Sequence, residues 1–124
     1  MKKSYLICIL WILAIAIYVV KAIAIASVYS SLPPRIAIHF DLHGVANGFQ
    51  DRWGIWELYA IDLGLTLLMW AVTRMPSSMI TGMNDIPEQQ RDQARQNLHL
   101  AMVIFGLVTS LVLAWGEYYI IAHN

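Results

Sequence analysis

The chain has 124 residues, 59% of them hydrophobic and 13% charged, with a mean hydropathy of +0.58 and a formal net charge of 0. Soluble domains carry about 25% charged residues, and a chain this short has too little interior to hide so much apolar surface from water. The composition argues against a soluble domain, and the zero balance gives no global field pointing to nucleic acid.

The first apolar run extends from Tyr5 to Val28 and is interrupted only by Lys21. About 20 apolar residues cross the hydrocarbon core, and backbone groups in lipid must bond within their own segment, so residues 5–28 are expected to form a transmembrane helix. Lys2, Lys3 and the small-residue stretch Ala24-Ile25-Ala26 share features with a cleaved signal. The run is long for one, and Lys21 sits just before the cleavage position, so an uncleaved anchor is expected. Cys8, the single cysteine, excludes an intrachain disulfide and reads as a small hydrophobe.

Pro33 and Pro34 close this span and open a loop over residues 29–54. Ile36, Ile38 and Phe40 alternate with Ala37, His39 and Asp41, which predicts a short strand. Asn47-Gly48 predicts a tight turn and Gly44 a second corner, so the loop is expected to fold as a small β-hairpin. On a strand, His39, Asp41 and His43 project to one face. His and Asp are zinc-ligand types. Their spacing matches no metal signature, and side chains that tie loop backbone together are the plainer expectation. His39, Asp41, His43, Gly44 and Asn47 are the candidate binding residues of this loop; no catalytic residue and no cofactor is assigned.

The second span covers residues 55–74, contains Glu57 and Asp62, and ends at Met75-Pro76. Residues 75–97 form a polar connection. Asp85 with Glu88 predicts a capping box, Pro87 suits a first helical turn, and Glu88 to Asn97 reads as a helical stalk entering the third span, residues 98–122. The mixed charges Glu88, Arg91, Asp92 and Arg95 predict a solvated face, with a cytosolic docking surface as the sharper alternative. The expected architecture is an all-α membrane protein of three transmembrane helices in a single domain over residues 1–124, with the hairpin between helices one and two.

Lys2, Lys3, Arg74, Arg91 and Arg95 flank the spans on one side, against Arg35 and Arg52 on the other. The positive-inside rule places the N-terminus and the second connection in the cytoplasm, and the first loop and C-terminus outside. Tyr29, Trp53, Trp56, Tyr59, Trp115, Tyr118 and Tyr119 then gather at the outer interface, where amphipathic rings prefer to sit.

Charges inside spans cost about 2.5–3.5 kcal/mol each on the mildest scale. Lys21 and Asp62 each lie about seven residues, roughly 10 Å, below the outer end of their helices, and an ion pair between them removes two isolated charges from lipid. Asp62, Thr66 and Thr73 share one helix face, as do Gly106, Ser110 and Glu117, and small and hydroxyl residues are what helices in lipid use to approach each other. Lys21, Asp62, Glu117 and Ser110 are therefore expected to form an intramembrane polar seam, although Lys21 and Glu117 also have stems long enough to snorkel.

The loop resembles a known family at Leu32, Pro33, Ile36, His39, Phe40, Asp41, Gly44, Asn47, Gly48 and Phe49. Together these match a bacterial membrane domain of unknown function that also forms the N-terminal part of Sdp-type toxin-immunity proteins. Ala37 and Ala46 stand where that pattern has proline. The resemblance implies a bacterial cytoplasmic-membrane protein of immunity or sensor type, whose outer loop meets an envelope or extracellular partner, without implying a reaction. Two other classes fit the same residues. One is an accessory subunit of a larger membrane complex. The other is an oligomeric transporter or membrane enzyme using the His/Asp cluster. The partners implied are the bilayer, a membrane protein or secreted peptide, and copies of the chain itself, with no nucleic acid.

Overall fold

The computed structural model describes residues 2–124. Helix α1 spans Lys3–Tyr29, strands β1 and β2 span Arg35–Phe40 and Ala46–Asp51, α2 spans Gly54–Thr73, and α3 spans Glu88–Ala122. All three helices are long and apolar enough to cross a bilayer, and the protein is a multi-pass membrane protein. Their outward faces carry Val19, Val20, Ile23, Leu67, Leu68 and Val112, all exposed, as a lipid-facing surface requires. The 35 residues of α3 extend about 52 Å, more than the hydrocarbon core, so its polar first turns project beyond the bilayer as the expected stalk.

The inward faces follow the steps of three, four and seven residues that keep one helical stripe pointed at a neighbour. On α1 the stripe is Ile7, Ala14, Tyr18, Lys21 and Ile25; on α2 it is Ile55, Asp62, Thr66 and Thr73; on α3 it includes Val103, Gly106, Ser110, Glu117 and Ile120. Gly106 faces Thr66 across the α2–α3 contact, where an added Cβ would make an ordinary van der Waals contact with the Thr66 methyl at 3.7 Å. Helix α3 packs closely against both other helices, whereas the α1 and α2 backbones stand farther apart and are bridged by side chains, Tyr18 and Lys21 reaching across to Asp62 and Thr66. Ala14, Val103 and Leu107 form one apolar cluster; Ile25, Leu32, Ile36, Ile55 and Ile120 form another beneath the hairpin.

The hairpin differs from expectation in where it turns. The chain reverses at residues 41–45, where Asp41 N–H donates to the Val45 carbonyl (2.9 Å) and Gly44 adopts a φ of 77°. Asn47-Gly48 lies inside β2 instead. Gly48 faces His39 across a bulged register, and a Cβ there would stand 2.8 Å from the His39 Cβ. Close cross-strand approach, rather than a turn, is what uses this glycine.

The second connection also departs in detail. Asp85 sits in a 3-10 turn, Met83–Asp85, and the α3 N-cap is Pro87, with no capping side chain. Arg91 closes the segment instead, donating to the carbonyls of Ile86 (3.0 Å) and Asn84 (3.2 Å). Arg95 donates to Met75 O (3.0 Å) and Ser77 Oγ (2.7 Å), which satisfies groups just past the C-terminus of α2. Both arginines of the proposed docking face are thereby engaged in building the loop.

Candidate functional site

Lys21 and Asp62 form the expected ion pair, and Glu117 joins it with Oε1 3.3 Å from Lys21 Nζ. One cation from α1 thus meets carboxylates from both other helices. All three are withdrawn from the surface, at 7% exposure for Lys21, 0% for Asp62 and 4% for Glu117, so Lys21 does not snorkel.

Hydroxyls complete the shell around Asp62. Tyr18 Oη donates to Asp62 Oδ1 (2.8 Å) and shares a 2.5 Å hydrogen bond with Thr66 Oγ1; Ser110 Oγ donates to Asp62 Oδ2 at 3.3 Å. With Thr66 as donor to Tyr18 and Tyr18 as donor to Asp62, the proton directions are consistent. Above the ammonium lie the rings of Tyr18 (5.4 Å) and Tyr59 (5.8 Å), whose π-faces favour a cation. Tyr59 Oη is anchored on the Tyr18 carbonyl (3.0 Å). Glu117 Oε1 is buried and accepts no hydrogen bond. The group therefore holds two carboxylates against one ammonium, tightly bonded on the Asp62 side and loosely on the Glu117 side.

Tyr18 and Tyr59 were not among the expected seam residues. Their signal was present: Tyr18 stands three residues before Lys21, and Tyr59 three before Asp62, each one turn away on the same face.

The loop residues do not gather as a binding cluster. Strand β1 ends at Phe40, so Asp41 and His43 do not continue the face that carries His39. His39 Nδ1 pairs with Asn47 Oδ1 across the hairpin (2.6 Å), while Asp41 Oδ1 accepts from the His43 (2.8 Å) and Val45 (2.9 Å) backbone N–H groups. Among the described residues no group of three or more His, Cys, Asp or Glu side chains is placed to hold a metal. These residues build the hairpin. Replacing Asp41→Ala removes two acceptor contacts in an exposed turn and is expected to cost about 1 kcal/mol locally, read as faster hydrogen exchange at the Val45 amide with the bundle unchanged.

The hairpin is fixed to the bundle end. Asn124 bonds both backbone groups of Ala37, accepting from its N–H (2.8 Å) and donating to its carbonyl (2.9 Å). Phe40 stacks edge-on against Tyr119 (5.0 Å), which in turn stacks on His123 (3.9 Å). Arg52 lies over the Tyr29 ring (5.0 Å), and its N–H donates to the Pro34 carbonyl (3.0 Å). Glu57, exposed near the start of α2, accepts a hydrogen bond from Gln50 of β2 (2.6 Å). On this rigid mount the tip and outer face present Leu42, Val45 and Phe49, with Leu42 fully exposed.

These features sit in a segment with recognisable kin. Residues 5–62 match the family described as a domain of unknown function (DUF1648). The match takes in α1, the whole hairpin and α2 as far as Asp62, and therefore both members of the Lys21–Asp62 pair; Glu117 lies outside it. No curated protein and no solved structure matches the chain.

Proposed function

We propose that the chain is a small membrane receptor of immunity or sensor type, whose hairpin tip meets an envelope or secreted peptide. In this reading it sits in the bacterial cytoplasmic membrane with its N-terminus cytoplasmic and its hairpin and C-terminus outside. The Lys/Arg bias of the flanks supports the orientation. The resemblance of the loop to the N-terminal part of Sdp-type immunity proteins supports the class.

One observation carries the reading. A short hairpin, locked to the bundle by Asn124, Phe40 and Arg52, holds Leu42, Val45 and Phe49 outward with nothing covering them. Exposed apolar side chains on a rigid mount are what a recognition surface needs, because little ordering entropy remains to be lost on binding. The underside of the same hairpin packs Ile36 into the cluster that also holds Ile25, one turn from Lys21, so packed side chains lie between the hairpin and the buried ion group.

The test is affinity capture from cells with chemical cross-linking, comparing wild type with Leu42→Asp. The side chain is fully exposed, so the fold is expected to be unaffected. A partner captured by wild type and reduced about ten-fold by the variant is the expected result, the size of one apolar hot spot. Undiminished capture of the same partner would move the chain to the accessory-subunit class, held through its helices.

A further inference from the structure

Beside the contact between Tyr18 and Thr66, a groove runs between α1 and α2 along the bundle. Its deeper part is a cavity of about 290 Å³ lined by Trp11, Ile15, Leu63, Leu67 and Trp70. Tyr18 and Thr66 also border it, but their hydroxyls are turned to each other and to Asp62, leaving an apolar wall. The groove continues past Trp11, Ile15 and Trp70 into a second cavity of about 460 Å³, which Ser4, Arg74, Gln96 and His99 also line.

Three observations say what fits. From Leu63 to Arg74 the helix rises about 16 Å, the depth of one leaflet of a bilayer whose hydrocarbon core is about 30 Å thick. The mouth is basic: Arg74 is exposed, lies 5.1 Å over the Trp70 ring, and pairs with no carboxylate, since among the described residues both ion pairs use Lys21. No acidic side chain lines either cavity. Arg91 and Arg95 at the same end are engaged with loop carbonyls and Lys3 with Asn97, and of the cations at this end Arg74 is the one that lines the groove mouth.

We infer that this groove is a binding site for one anionic phospholipid, with an acyl chain lying between Trp11, Ile15, Leu67 and Trp70 and the phosphate on Arg74. Basic mouths between transmembrane helices select anionic headgroups, and a guanidinium offers a phosphate two parallel donors.

The test uses the full chain, purified in detergent and titrated with phosphatidylglycerol or phosphatidylcholine, with bound lipid counted by native mass spectrometry. One phosphatidylglycerol per chain is expected, retained about five-fold better than phosphatidylcholine. Arg74→Gln, on an exposed residue, is expected to remove that preference. Ile15→Trp fills the groove and is expected to lower retention of both lipids. Equal retention of the two lipids by wild type overturns the site, as does an unchanged preference in Arg74→Gln. Displacement of the lipid by millimolar inorganic phosphate would make it a free-phosphate site instead, and a lipid-free dimer broken by Ile15→Trp would make the groove a contact between copies; either outcome overturns the lipid assignment.

Discussion

Lys21→Met is expected to be the most damaging single change in the bundle. It leaves Asp62 and Glu117 buried on neighbouring helices with no countercharge, and stranding a buried charge costs about 3–5 kcal/mol. In detergent this should appear as a fall of roughly 10–20 °C in the midpoint of thermal unfolding. The triple variant Lys21→Met, Asp62→Asn, Glu117→Gln separates charge from shape. It keeps similar volumes and hydrogen-bonding amides while removing every charge, so it should recover most of the loss. Asp62→Asn alone should be milder than Lys21→Met, because Lys21 keeps Glu117. If Lys21→Met unfolds at the wild-type temperature, the buried group does not hold the helices together.

The second large effect is expected at Ile36, which has 0% exposure and packs with Ile25, Leu32, Ile55 and Ile120. Truncating a buried isoleucine to alanine costs about 2–5 kcal/mol. In Ile36→Ala the loss should fall mainly on the hairpin, whose other ties to the bundle are a few hydrogen bonds and aromatic contacts. Amide exchange at Ala37 and Phe49 should then accelerate about 30-fold or more, while exchange in the middle of α3 changes little. Uniform acceleration through all three helices would mean that the hairpin and bundle open as one unit.

These effects rest on features that the sequence shows to very different degrees. The spans were legible because lipid imposes a simple length and polarity rule, and Lys21 and Asp62 were legible because equal depth and opposite charge leave few alternatives in hydrocarbon. Glu117 was harder, since a carboxylate near a helix end can equally reach water; only the rotation of α3 decides that it turns inward, and hydropathy does not fix rotation. The spacing of Tyr18 from Lys21 was a weak signal, because an aromatic ring on a transmembrane helix more often marks an interface.

The hairpin misled for a different reason. Asn47-Gly48 is a turn dipeptide in isolation, but Asp41 closes a turn six residues earlier by accepting two backbone N–H groups, and the register that follows uses Gly48 to pass His39. Tertiary fit decided between two locally acceptable turns. The capping box failed similarly: Arg91, reaching back to Ile86 and Asn84, performs the closing role that Asp85 was expected to perform. Long side chains that return to backbone carbonyls leave no pattern at a fixed spacing.

Recognition at the hairpin tip is tested most directly in living cells, by placing a photo-crosslinking amino acid at position 42 and, as a lipid-facing control, at position 20. Val20 is exposed on α1, well away from the tip. A discrete protein or peptide adduct at position 42, absent at position 20 and lost when Ile36→Ala loosens the hairpin, is the predicted result. Adducts to lipid alone at both positions would contradict it and make the tip an interfacial anchor.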